Sequence, residues 1–126
     1  MKYDDLLNIP FKWRGRDKDG FDCYGVAIEC CRRAGTPLKD LYSDIDNLPA
    51  SEIKDYIKGG LNLRKIPASK VGGLVYSSYK GNVHVGYIVE RGKVLHATID
   101  KGVKISPLAA LCPIAFYEVV NESNIV

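Results

Sequence analysis

Apolar side chains recur at Cys23, Val26, Ala27, Cys30, Cys31 and Ala34, the three-and-four spacing that lines one stripe of a helix. Asp22 occupies the N-cap position, and Gly35 followed by Pro37 ends the segment, so a helix is predicted over 23–34. Upstream, residues 1–21 keep no sustained period and contain Pro10, Gly15 and Gly20; a short helical turn is expected at Tyr3–Asn8 and loop elsewhere. Short turns are expected at Leu38–Ile45. A second helix is expected at Pro49–Lys58, started near Asn47 and Pro49 and stopped by Gly59-Gly60.

Beyond Gly60 the period changes. Short runs rich in Val, Ile, Leu and Tyr, broken by Gly and Pro, predict strands at 61–66, 73–79, 83–89, 93–99, 103–106 and 115–120. Helices first and strands second is the order of an α+β domain, with N-terminal helices packed on a C-terminal antiparallel β-sheet. The 126 residues contain no repeat, low-complexity tract or linker, so one domain spanning 1–126 is expected. A chain of this length buries roughly two-thirds of its unfolded surface.

Composition narrows the function classes. With 46% apolar and 26% charged residues, disorder, collagen and coiled coil are excluded. The net charge of +3 is small and scattered, so no nucleic-acid partner is expected. No apolar run approaches the roughly 20 residues of a membrane span, so no membrane partner is expected either. The opening Met-Lys-Tyr-Asp-Asp-Leu-Leu carries charges where a signal peptide has its apolar stretch. The chain is therefore expected to be cytoplasmic as synthesised, with another vehicle such as a virion carrying it to any external target. Cysteines 23, 30, 31 and 112 form neither a disulfide framework nor a paired zinc spacing. Cys30, Cys31 and Cys112 are expected to be reduced and mostly buried. Two histidines and a cysteine lack a further zinc ligand, so neither metal nor cofactor is expected.

Cys23 lies in Gly20-Phe21-Asp22-Cys23-Tyr24-Gly25, at the first turn of the predicted helix. A thiol there meets the positive end of the helix dipole and free backbone N–H groups, which favour the thiolate and can hold an oxyanion. A buried structural cysteine is the alternative. The two histidines, His84 and His96, lie on neighbouring predicted strands. They stand an even number of positions apart, so they share a face only if the connection has an odd residue count. A three-residue Glu90-Arg91-Gly92 loop with Gly92 left-handed supplies it; a two-residue Arg91-Gly92 turn puts them on opposite faces. On one face, His84 is the better base, because Gly86 leaves space beside the helix start, and His96 orients it.

The segments Pro10-Phe11-Lys12-Trp13-Arg14-Gly15, Gly20-Phe21-Asp22-Cys23-Tyr24-Gly25, Gly73-Leu74-Val75-Tyr76, His84-Val85-Gly86-Tyr87-Ile88 and Leu95-His96-Ala97 resemble, in order and spacing, the NlpC/p60 superfamily of papain-like cell-wall cysteine peptidases. The resemblance runs from about Ile9 to Tyr117. It implies a papain-like fold and hydrolysis of the D-γ-glutamyl–diamino acid amide of peptidoglycan stem peptides through a γ-glutamyl thioester. It implies Cys23 as nucleophile, His84 as acid and base, and His96 as third member. Asp22 matches a residue associated with recognition of a substrate amine, and Trp13 falls in the segment lining the cleft. Tyr24, where serine commonly follows the cysteine, completes the candidate substrate-binding residues and looks most like the phage tail-associated branch. The implied partners are peptidoglycan and phage-tail or other delivery proteins. Phe11 stands where tyrosine is common, Arg14 where glycine is, and Gly72-Gly73 where Gly-Asp is. Rival readings are a non-catalytic part of a tail or secretion assembly, and a thioester-forming acyltransferase.

Overall fold

The computed structural model describes residues 3–40, 62–79 and 82–120. The helix expected at 49–58, and the turns expected beyond Asp40, lie outside the described residues. A 3-10 turn at Asp4–Leu6 falls inside the expected Tyr3–Asn8 turn. Where loop was expected, strands β1 (Arg16–Asp17) and β2 (Gly20–Phe21) form a small hairpin; two-residue strands are too short to show a period. Helix α1 (Cys23–Arg33) follows. The Asp22 carboxylate accepts the Gly25 N–H at 2.6 Å, a cap that stabilises a helix by about 1 kcal/mol. Gly35, at φ +79°, lies just past its end.

The strands are β3 (Leu63–Ile66), β4 (Leu74–Tyr79), β5 (Asn82–Glu90), β6 (Lys93–Thr98), β7 (Gly102–Pro107) and β8 (Pro113–Val119), each within a residue or two of its expected bounds. They form one antiparallel sheet ordered β3-β8-β4-β5-β6-β7. A 3-10 turn at Leu108–Leu111 joins β7 to β8. The outer edge of β7 is covered by the N-terminal segment: the Asn8 N–H donates to the Val103 carbonyl, and the Val103 N–H to the Ile9 carbonyl, both at 2.9 Å. The following residues cross to β2, where the Lys12 N–H bonds the Phe21 carbonyl. Residues 8–13 thus run from the sheet edge to the start of α1.

Alternation divides the sheet into two faces. On one, Leu74, Tyr76, Val85, Tyr87, Leu95, Ala97 and Val103 pack against Val26, Ala27, Cys30 and Cys31 of α1, forming the main core. On the other, Val75, Ile88, Val94 and Leu111 form a smaller cluster. Both histidines belong to this second face. Cys30 and Cys31 are buried and free, as expected, whereas Cys112 is exposed, because it follows the 3-10 turn in the left-handed region at φ +50°.

The β5–β6 connection corrects the expected loop. Glu90 pairs with Lys93, so the turn is the two residues Arg91 and Gly92, with Gly92 left-handed at φ +75°. The register then slips at Val89, and Ile88 pairs with Val94 and Tyr87 with Leu95. The extra residue that parity requires is a bulge in β5. It returns His84 and His96 to one face.

Candidate active site

Cys23 is the first residue of α1. The β5–β6 ladder runs from the turn to the Tyr87–Leu95 pair. Past it, the N–H groups of Val85, Tyr24 and Cys23 itself lie close enough to the Cys23 sulfur to favour its thiolate. The thiol thus sits against β5 one residue after His84. The His84 Nε2 lies 2.6 Å from the His96 Nδ1, and the rings meet edge to face with centroids 4.8 Å apart. Next, the His96 Nε2 lies 2.8 Å from the Ser106 Oγ of β7. His84 is 8% exposed and His96 fully buried. The bonded order across the sheet is therefore His84, His96, Ser106. Gly86 does not clear space beside α1, as was expected of it. A Cβ there would lie 2.2 Å from the Val94 Cγ1 and 3.6 Å from the His96 Cβ, so its missing side chain makes room for His96 and Val94.

Electrostatics correct a second expectation. Desolvation pushes the Cys23 thiol up to about 11, with the Asp22 carboxylate adding to the rise and the Val85, Tyr24 and Cys23 N–H groups opposing it. The helix start thus does not outweigh burial, and the isolated thiol is neutral at pH 7. Burial, and secondarily the charge of Lys104, lowers His84 to about 4. Burial, then His84, then Lys104, lowers His96 to about 3. Lys104 faces His96 directly across the β6–β7 ladder. The resting site is therefore a neutral thiol beside two neutral imidazoles, suited to transferring a proton as attack occurs.

The three candidate substrate-binding residues are placed differently from one another. Asp22 is 7% exposed. Besides the Gly25 cap, it accepts the Arg14 N–H at 3.1 Å and Arg16 Nη1 at 2.8 Å, and Arg16 in turn holds Asp40 at 2.9 and 3.2 Å. Both oxygens are thus engaged within the chain, which makes its cap role a structural finding, and Oδ2 accepts only the Arg14 N–H among these bonds. Tyr24 is buried in the core. Its hydroxyl donates to the Lys39 carbonyl at 2.6 Å and Arg16 lies over its ring, so it joins the helix start to the following segment. Trp13 is 48% exposed, with its ring edge to face against Phe11 at 4.8 Å; it stands on the segment leading to the cysteine. Among the described residues, no three His, Cys, Asp or Glu side chains cluster as metal ligands.

Sequence reasoning missed Ser106 and the Val85 N–H. Ser106 continues the apolar–polar alternation Val103-Lys104-Ile105-Ser106, so nothing local marks it, and only the β6–β7 register, with Val94 opposite Ser106 and His96 opposite Lys104, brings it to His96.

A helix that begins with a cysteine, set against an antiparallel sheet bearing two bonded histidines, is the α+β arrangement of papain-like domains. The chain belongs to the NlpC/P60 family, whose sequence profile matches residues 8–117. Two solved structures share the fold. One is the NlpC/p60 domain of the peptidoglycan hydrolase SagA, 19% identical over 91% of this chain and 90% of that one, with a TM-score of 0.58. The other is an NlpC/P60 family protein from Bacillus cereus ATCC 10987, 20% identical over 92% of this chain and 37% of that one, with a TM-score of 0.55. No curated protein matches the sequence.

Proposed function

We propose that this chain is a cysteine peptidase that hydrolyses an amide of peptidoglycan stem peptides, the D-γ-glutamyl–diamino acid bond, with Cys23 as nucleophile. The observation that carries this is the bonded pair His84–His96, at 2.6 Å, on the strand whose next residue, Val85, has its N–H near the sulfur of Cys23 at the start of α1. Family membership and the peptidoglycan hydrolase among the structural neighbours support the substrate class.

In the reaction, the sulfur bonds to the amide carbonyl carbon as the thiol proton passes to His84. The Cys23 N–H at the helix start helps hold the oxyanion. Collapse breaks the C–N bond, and His84 returns the proton to the leaving amine. Water then gives its proton to His84 and its oxygen to the thioester carbon. The C–S bond breaks and the thiolate recovers the proton. His96 accepts from His84 and keeps the base oriented throughout. Trp13, exposed on the segment that leads to the cysteine, is the residue proposed to contact the peptide. Delivery by a phage tail or another vehicle belongs to the same proposal and rests on the aromatic Tyr24 after the cysteine.

One observation favours the rival scaffold reading: the upward shift of the thiol, which is the direction an inert buried cysteine takes. Digestion of purified peptidoglycan and of a synthetic stem peptide separates the two. Soluble product from the wild type, lost in Cys23→Ala and His84→Ala, is expected. Undiminished product from Cys23→Ala sinks the peptidase, and an added amine captured in the product replaces hydrolysis by acyl transfer.

A further inference from the structure

We infer that Arg16 is a positioning residue for the proposed nucleophile: it holds the Asp22 carboxylate, the charge next to Cys23, and so lets negative charge gather at the sulfur during attack. The inference rests on the reading of Cys23 as nucleophile, while its test does not need peptide cleavage.

The small hairpin places the guanidinium. Arg16 of β1 pairs with Phe21 of β2, so the residue after β2, Asp22, returns beside Arg16. The Arg16 Nη1 donates to the Asp22 Oδ1 and to the Gly15 carbonyl, each at 2.8 Å. Its Nε and Nη2 donate to the two Asp40 oxygens at 2.9 and 3.2 Å. One planar fork thus joins two carboxylates, a geometry that a lysine ammonium does not reproduce. The approach is this close because Gly25 has no side chain. A Cβ there would lie 2.1 Å from the Gly15 oxygen and 3.0 Å from the Arg16 Nη1. Arg16 also lies over the Tyr24 ring, 5.9 Å from its centroid. It therefore meets the helix start at Asp22, Tyr24 and Gly25, the residues around Cys23.

Charge gives these contacts their consequence. A helix start favours an anion, but Asp22 brings a negative charge to the same place. Burial raises the Cys23 thiol most, and the Asp22 carboxylate adds to the rise. The Arg16 and Asp22 side chains are 22% and 10% exposed, so solvent and salt screen this pair less than one at the surface. A guanidinium does not lose its proton, so Arg16 offsets the Asp22 charge at every working pH. Attack builds negative charge on the sulfur and then on the carbonyl oxygen. Without Arg16, an uncompensated and largely buried carboxylate would stand beside the sulfur.

Other charged and titratable groups approach Cys23 from the elements around it. From β5 comes His84, the residue before Val85, with His96 of β6 bonded behind it. Lys104 of β7 acts on those two histidines. From the segment before β1, Arg14 meets the Asp22 Oδ2 through its backbone N–H. Asp40 shares the Arg16 fork. The cationic side chain bonded to Asp22 is that of Arg16.

The rate at which iodoacetamide labels Cys23 tests this on the full chain, with the site located by mass spectrometry. It is read at about pH 10, on the rise toward the thiol value of about 11, where free thiolate reacts. Arg16→Gln, and Arg16→Met, which keeps an apolar stem over Tyr24, are expected to lower that rate roughly 3- to 10-fold. Arg16→Lys keeps the charge and is expected to recover most of the loss. Asp22→Asn removes the charge and keeps a capping side chain. In that background the neutral Arg16 variants are expected to change the rate by less than about twofold. A loss of equal size with and without the Asp22 charge overturns the inference, because Arg16 would then act through shape alone. An unchanged rate in both neutral variants overturns it too, as does a faster one, which signals a loosened helix start that exposes the thiol. Where the wild type cleaves stem peptide, the neutral variants are expected to lose kcat and keep KM. A wild type that cleaves none sinks the peptidase reading, and the labelling rates still decide the role of Arg16.

Discussion

The Nε2 of His84 and the Nδ1 of His96 lie 2.6 Å apart, as diagonal neighbours on the face of the sheet opposite α1. Cys23 packs against the main core on the α1 side, and the β5–β6 ladder runs from the turn to the Tyr87–Leu95 pair. The helix start meets β5 beyond that pair, where the Val85 N–H lies near the sulfur. The proposed nucleophile and base thus belong to opposite faces of the sheet, and Val85 is the strand residue between them.

The neutral resting pair makes a distinctive pH profile. With His84 lowered to about 4 and the Cys23 thiol raised to about 11, both groups stay neutral across the interval between. Iodoacetamide labelling of Cys23 is expected to be flat from about pH 5 to 9 and to rise above that as thiolate forms. His84→Ala is expected to lose the flat region and keep the rise. A limb below the ordinary thiol value of about 8.5 would instead mean a preformed thiolate.

Acid stability follows from the same burial. Both histidines titrate lower in the folded chain, His84 at about 4 and His96 at about 3, than the ordinary 6.5. Between those values the unfolded chain binds more protons, so stability rises with pH. Their contribution is full above 6.5 and is lost as pH falls toward 4 and 3. The slope is up to about 1.4 kcal/mol per pH unit for each histidine. Urea midpoints are expected to drop steeply from pH 6.5 to 5, and less steeply in His96→Gln. Equal midpoints at pH 7 and 5 would contradict the buried neutral pair.

Two glycines should fail differently. At Gly92 nothing lies within 4 Å of an added Cβ, but φ is +75°, so Gly92→Ala costs about 1 kcal/mol in backbone strain alone. At Gly86 the added Cβ meets the Val94 Cγ1 at 2.2 Å, and Gly86→Ala costs about 1–3 kcal/mol by overpacking beside His96. Thermal melting should fall in both variants, whereas His84-dependent labelling of Cys23 should fall only in Gly86→Ala. Unchanged labelling in Gly86→Ala would separate that glycine from the histidine geometry.

The sequence by itself determined the helix from Cys23 onward, its Asp22 cap, the positions of the strands after Gly60 and the candidacy of Cys23, His84 and His96. Each of these depends on local periodicity, a cap or a turn residue, which neighbours along the chain decide. Tertiary structure decided the rest. Parity between His84 and His96 came from a bulge at Val89, because register is a property of two strands and not of the turn alone. Ser106 joined the histidines only through the β6–β7 register. Asp22 was taken up by Arg16, and Tyr24 by the Lys39 carbonyl, through contacts that no spacing displays. The neutral state of the Cys23 thiol was also tertiary: the helix dipole is local to α1, but the desolvation that outweighs it comes from every element packed around the sulfur.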